Sequence, residues 1–199
     1  MPKTKNYHRG DVKTELINAA VEALKTQSFQ AVSMRKLASA IGVSHNAPYM
    51  HFKDKEALWL AISDHGFEML SNEITREIAT HSTWRDRLEA GCRAYVRFAE
   101  RNREYMLVMF RPATPGNVRA LSPKGAEALD LLTLELAAGG ASGQIELTDP
   151  AKLAVLIWIM LHGLTMAKLQ IGGERGPLLE IAGDDHIGWM LDKVLATEK

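Results

Sequence analysis

Residues 33–55 read SMRKLASAIGVSHNAPYMHFKDK, and one glycine in that stretch, Gly42, constrains the fold more than any other residue. Before it, Met34, Leu37, Ala38 and Ile41 recur at helical spacing behind Ser33, a residue suited to cap a helix N-terminus. After it, Val43 and Phe52 bracket a short polar run that Ser44 can cap. Glycine takes a positive φ at no steric cost, so these positions predict two short helices joined by a tight turn. Ala38, small and four residues before the glycine, suits a close helix crossing. Leu37, Ala38, Ile41, Val43 and Phe52 are then the shared core, while Ser44, His45, Asn46, Ala47, Tyr49 and His51 face outward.

The rest of the chain also reads as helix. Val12, Leu16, Ile17, Ala20, Ala23 and Leu24 share one face, predicting a first helix over about Asp11–Lys25. Asp54 caps a fourth helix that runs past Phe67 to about Ala79. Trp84–Asn102 and Glu104–Phe110 follow, and Pro112, Pro115 and Gly116 mark a loop. Ser122-Pro123 opens a helix that Gly139-Gly140 ends, with a flexible connection over 139–148. Asp149-Pro150 opens a long apolar helix to Ile171, closed by Gly172-Gly173. Asp184 or Asp185 starts a last helix through Trp189, Leu191, Val194 and Leu195. Neither strand alternation nor an internal repeat is visible. The expectation is an all-α fold of about nine helices, with a three-helix helix-turn-helix unit over 8–54 and a larger helical body over 55–199.

Net charge is zero, but its distribution is uneven. Residues 1–60 hold nine lysines and arginines against five acids, and the remainder is correspondingly acidic. A basic face on the first third is what phosphate neutralisation needs. Cys92 is the single cysteine, so no intrachain disulfide forms and a reducing compartment is expected. Met-Pro-Lys-Thr-Lys-Asn at the start offers no apolar signal region. Leu153–Ile171 is long and apolar, yet His162, Thr165, Lys168 and Gln170 are costly in hydrocarbon. A buried helix of a soluble, cytoplasmic protein with no membrane partner fits it better.

The segment from about residue 8 to 67 resembles the TetR family of transcription regulators. The resemblance is carried by SMRKLASAIGVS, Tyr49, His51-Phe52 and Asp54-Lys55-Glu56-Ala57-Leu58. It departs where Asn46-Ala47-Pro48 replaces the family's usual Gly-Thr-Leu. The resemblance implies a homodimer that binds palindromic double-stranded DNA and answers a small-molecule effector. Tyr49 and His51 resemble the family's phosphate contacts, Lys55 opens the next helix beside the DNA backbone, and Ser33 and Ser44, at helix N-termini, can donate to phosphate. His45, Asn46 and Ala47 are the expected base readers, since asparagine can bond adenine bidentately and alanine can touch a thymine methyl. Arg35 and Lys36 sit where either could reach a groove or a phosphate.

Trp158, His162 and Gly163 also resemble a tryptophan–histidine–glycine pattern in one subgroup of TetR-type C-terminal domains. His162 could bond a ligand or satisfy a buried carbonyl, and the second is favoured. Gly163 in mid-helix suggests close approach of another helix. Trp84, Tyr95, Phe98, Met106, Met109, Phe110, Trp158, His162 and Met166 could line an apolar ligand cavity, although such residues at helical spacing more often form ordinary core. The last two helices, apolar on more than one face, are the expected dimer contact. The competing readings are a small-molecule-binding or metal-dependent enzyme, for which Asp184-Asp185-His186 is the best material, and a structural adaptor. No spaced ligand set, phosphate loop or nucleophile elbow supports catalysis, and no cofactor is implied.

Overall fold

The computed structural model describes residues 12–111, 122–171 and 185–196. The described residues are all-helical: α1 (Val12–Leu24), α2 (Met34–Ala40), a 3-10 helix (Ala47–Met50), α3 (Lys55–Ile78), α4 (Trp84–Arg101), α5 (Arg103–Met109), α6 (Pro123–Ala141), α7 (Pro150–Ile171) and α8 (His186–Ala196). Asp11, the loop prolines 112 and 115 with Gly116, Gly172-Gly173 and Asp184 lie outside them. Contacts gather the chain into two compact units, Met1–Ser63 and Asp64–Lys199, with the division falling inside α3.

In the first unit, α1 buries Leu16, Ile17, Ala20 and Leu24, and α2 buries Met34, Leu37 and Ala38. Ala38 is completely covered, as a close crossing requires. Trp59 closes the core, with Phe29 meeting its ring edge-on at 5.3 Å. Gly42 has φ +74°, the positive value expected of it. Val43 N–H donates to the Ala38 carbonyl at 3.0 Å and Gly42 N–H to that of Ser39 at 3.2 Å. This paired closure satisfies the carbonyls that the end of α2 would leave bare. Asp54 caps α3 as expected, its Oδ1 accepting from Ala57 N–H at 2.8 Å.

Two cap assignments come out differently. Ser33 holds the N-cap position of α2 but makes no side-chain cap bond. Ser44 caps no helix: only its carbonyl is used, accepting from Ala47 N–H at 2.9 Å, and Asn46 takes the N-cap position. The expected third helix is a four-residue 3-10 turn. Pro48 supplies no N–H, and it sits in the first turn of that element, where the missing donor costs no intrahelical bond.

The second unit is built on α4, which packs against α6, α7 and α8. Thr83 and Asp86 cap α4 reciprocally, the Asp86 N–H reaching Thr83 Oγ1 at 3.1 Å and the hydroxyl donating to the carboxylate at 2.6 Å. Nine α4 residues from Trp84 to Ala99 are buried. Each large apolar one among them stabilises by about 1.5–3 kcal/mol relative to exposure. Gly139-Gly140 does not end α6. The helix continues to Ala141, and Gly143, at φ +71°, closes it with Gln144 N–H donating to the Gly139 carbonyl. Gly139 serves packing: a Cβ there would fall 2.2 Å from the Trp84 ring. Trp84 Nε1–H also donates to the Glu135 carbonyl at 2.7 Å.

α7 begins at the Asp149-Pro150 cap, with Asp149 Oδ1 accepting from Lys152 N–H at 3.1 Å. That bond holds the Asp149 carboxyl below its ordinary pKa. Length and composition alone would let this helix cross a membrane. Only one face is covered, through Leu153, Ala154, Ile157, Leu161 and Thr165, whereas Val155, Leu156 and Ile159 lie open. The expectation of a buried helix therefore holds for that one face alone.

Candidate nucleic-acid interface and ligand cavity

No aspartate or glutamate occurs between Glu22 and Asp54, so the turn region of the first unit carries only neutral and basic side chains. Arg35, Lys36, Ser44, His45, Asn46, Tyr49 and His51 are all exposed, while Ser33, Ala47 and Lys55 are half-buried. Asn46 and Tyr49 are three residues apart on a turn with three residues per revolution, so they lie one above the other. Pro48 and Phe52 point the opposite way, into the core. Tyr49 N–H donates to the Asn46 carbonyl at 3.1 Å and Phe52 N–H to the Pro48 carbonyl at 2.9 Å, which fixes that division.

His45 is held by α2. Ser39 Oγ lies 3.1 Å from the Arg35 carbonyl and 3.2 Å from His45 Nε2. The hydroxyl has one proton and gives it to the carbonyl, so His45 Nε2–H donates to Ser39 Oγ and Nδ1 is left as an acceptor. Lys55 departs from its expected role. Its ammonium donates to the carbonyls of Val32 at 2.9 Å and Gln30 at 3.2 Å, tying the start of α3 to the α1–α2 connection. Met50 was missed by sequence reasoning, yet at 85% exposure it is the most open large apolar residue among the described residues. Its signal was present: a methionine amid polar residues and out of register with the buried Phe52, whereas Ile41 and Val43, expected in the shared core, are only half-buried.

The second unit encloses a cavity of about 90 Å³. Phe67, Leu70, Ile74 and Ile78 of α3 form one wall, and Leu88, Gly91, Cys92 and Tyr95 of α4 another. Ala128, Leu129, Leu131 and Leu132 of α6 close it, with Phe110, Trp158 and Leu161 at one end. Of the nine residues predicted for a pocket, Tyr95, Phe110 and Trp158 line it. His162 stands behind them: its ring lies 4.3 Å from Phe110 and stacks on Trp158 at 5.5 Å, and Tyr95 Oη–H donates to its Nδ1 at 2.9 Å. Burial lowers the His162 pKa and raises that of Tyr95, and the Trp158 side chain, which can only donate, also bonds the Tyr95 oxygen, which leaves the hydroxyl hydrogen for His162. Trp84, Phe98, Met106 and Met109 are core, and Met166 is half-buried away from the cavity. The α3 and α6 walls went unpredicted because leucine and isoleucine at helical spacing look the same whether they face a cavity or a packed neighbour.

Cys92, the lone cysteine, faces this cavity as a thiol whose pKa burial pushes up to about 12. The charged residues in the lining are Arg87 and Glu135, paired at 2.9 Å. Among the described residues, no group of three or more His, Cys, Asp or Glu side chains could hold a metal.

Comparison with known proteins matches residues 16–62 to the family model described as bacterial regulatory proteins, tetR family. Residues 88–193 match the one described as Tetracyclin repressor-like, C-terminal domain. The chain belongs to the TetR family. A solved structure from Rhodococcus sp. RHA1, titled a protein with unknown function, is 27% identical; the match covers 98% of each chain with a TM-score of 0.81. The HTH-type transcriptional repressor Rv1474c of Mycobacterium tuberculosis is 29% identical over 39% of this TetR-family chain and 41% of its own length. The HTH-type transcriptional activator FasR of Mycolicibacterium smegmatis is 28% identical over 51% and 47%. The chain thus spans less than half the length of these curated relatives. The description of the C-terminal model names no tryptophan–histidine–glycine subgroup, which stays a resemblance for this TetR-family member.

Proposed function

We propose that the protein is a cytoplasmic, homodimeric transcription regulator in which residues 8–54 bind a palindromic operator and residues 55–199 dimerise and sense a small molecule. The observation that carries this reading is the acid-free surface around the 3-10 turn, where Arg35, Lys36, Ser44, His45, Asn46, Tyr49 and His51 are exposed together. Phosphates are met by the basic groups and hydroxyls, and base edges by Asn46 and the Nδ1 of His45. Ser33 and Ala47, half-buried, are reached only at the edge of that surface. The role of Lys55 shifts from phosphate contact to bracing.

Dimerisation is supported by a second open surface. Leu156, Ile159 and Gly163 recur along one side of α7 beside the exposed Val155, and Trp189 of α8 is 56% exposed. Nothing lies within 4 Å of a Cβ placed on Gly163, so the close approach its absence of side chain permits would come from a second copy. One short reading turn contacts too few base pairs for specificity, and a dyad doubles the site. The mode is repression by occupancy, relieved when a compound in the cavity favours the conformation that does not fit the operator. Tyr49→Ala tests the reading: operator affinity falls while fold and dimerisation stay unchanged. Undiminished affinity removes the 3-10 turn from the interface.

A further inference from the structure

We propose that the cavity in the second unit takes an uncharged apolar compound carrying a hydroxyl group, an alcohol or a phenol, in preference to a carboxylate of the same size. This rests on the sensor reading of that cavity. The walls are nearly all hydrocarbon, and a charge placed there without a partner would be expelled. Among the described residues Arg87 is the one cation in the lining, and each of its nitrogens is engaged: Nε and Nη2 both reach Glu135 Oε1, at 3.0 and 2.9 Å, and Nη1 donates to the Ser82 carbonyl at 3.1 Å. A ligand carboxylate would have to displace Glu135 and would then confront it.

The ion pair itself leaves an acceptor. Both Arg87 contacts to Glu135 fall on one oxygen, so Oε2 can accept a hydrogen bond from a ligand hydroxyl. Tyr95 is already engaged on both sides, by His162 and by the Trp158 side chain, and so offers the ligand no free partner. Cys92 stays a thiol and brings no charge. A donor head on an apolar body therefore matches what the cavity offers, and an anionic head does not.

Size adds a structural corollary. A cavity of about 90 Å³ is smaller than the roughly 150 Å³ apolar cavity known to admit benzene, so the wall must yield. The first turns of α6 are the part able to do so. From Pro123 to Leu132 only Gly125 is fully buried, whereas the far end is anchored by Trp84 seated on Gly139.

Binding of 1-octanol, octanoate and 4-propylphenol to the full-length protein at neutral pH, without DNA, tests the proposal by displacement of the neutral dye N-phenyl-1-naphthylamine. The expected result is that octanol and the phenol bind at least about tenfold more tightly than octanoate. Leu132→Trp or Leu129→Trp, which fill the cavity, should abolish binding, while Leu134→Trp, exposed on the same helix, should not. Glu135→Gln should raise octanoate affinity about fivefold or more by releasing Arg87. Equal or tighter octanoate binding that the filling variants abolish would overturn the alcohol assignment while leaving the sensor cavity standing. Binding of no probe, or binding untouched by both filling variants, would overturn the cavity itself.

Discussion

Lys55→Met separates two roles that one lysine could play. The ammonium donates to two carbonyls, one in partly buried and one in exposed surroundings. A hydrogen bond to a charged group contributes about 1.5–3 kcal/mol where it is sheltered, and much less where solvent screens it. Losing the pair should therefore cost about 1–2 kcal/mol in all. For a chain of this length each kcal/mol moves Tm by about 2–4 °C, giving an expected fall of about 2–8 °C. A duplex enriched from random sequence by the wild-type protein supplies the second assay, binding by fluorescence anisotropy across a salt series. A bracing lysine leaves the slope of log affinity against log salt unchanged, although affinity itself drops. A phosphate contact would reduce that slope by about one and leave Tm alone. Unchanged Tm with a shallower slope would refute the bracing argument.

Gly42→Ala keeps every contact, since nothing lies within 4 Å, but strains a backbone at φ +74°. It should cost about 1–2 kcal/mol, read by denaturant unfolding. Gly139→Ala drives a methyl into the Trp84 indole and should cost about 1–3 kcal/mol, with a change in tryptophan fluorescence. His162→Ala leaves the buried Tyr95 hydroxyl without its acceptor, at about 1–3 kcal/mol. Because burial depresses the His162 pKa, protonation favours the unfolded chain. Stability should be full above the ordinary histidine pKa of about 6.5 and decline as pH falls below it. His162→Gln should flatten that decline in a Tm-against-pH series. Leu156→Arg with Ile159→Arg should yield monomers in sedimentation with α-helical content intact.

The helices were legible because their apolar spacing and caps are local properties. Asp54, Asp149-Pro150 and Ser122-Pro123 marked helix starts correctly, each by a side-chain oxygen bonded to a nearby N–H. Gly42 was legible for the same reason, since its positive φ belongs to the turn itself. Gly139 was misread because its cause is remote: the Trp84 ring comes from another helix, and no local pattern distinguishes a terminating glycine from one cleared for a neighbour. Lys55 illustrates the same limit, since its partners lie more than twenty residues earlier in the chain. The acid-free run that frames the reading surface was visible in one dimension. The cavity walls were not, because which leucines face a void depends on how four helices meet.

The most direct test is selection of duplexes from a random pool by the full-length protein, followed by the stoichiometry and salt dependence of the winner. The account predicts an inverted repeat bound by an even number of chains, with affinity falling steeply as salt rises. Recovery of no preferred duplex, or of one bound by a single chain with no salt dependence, would contradict it.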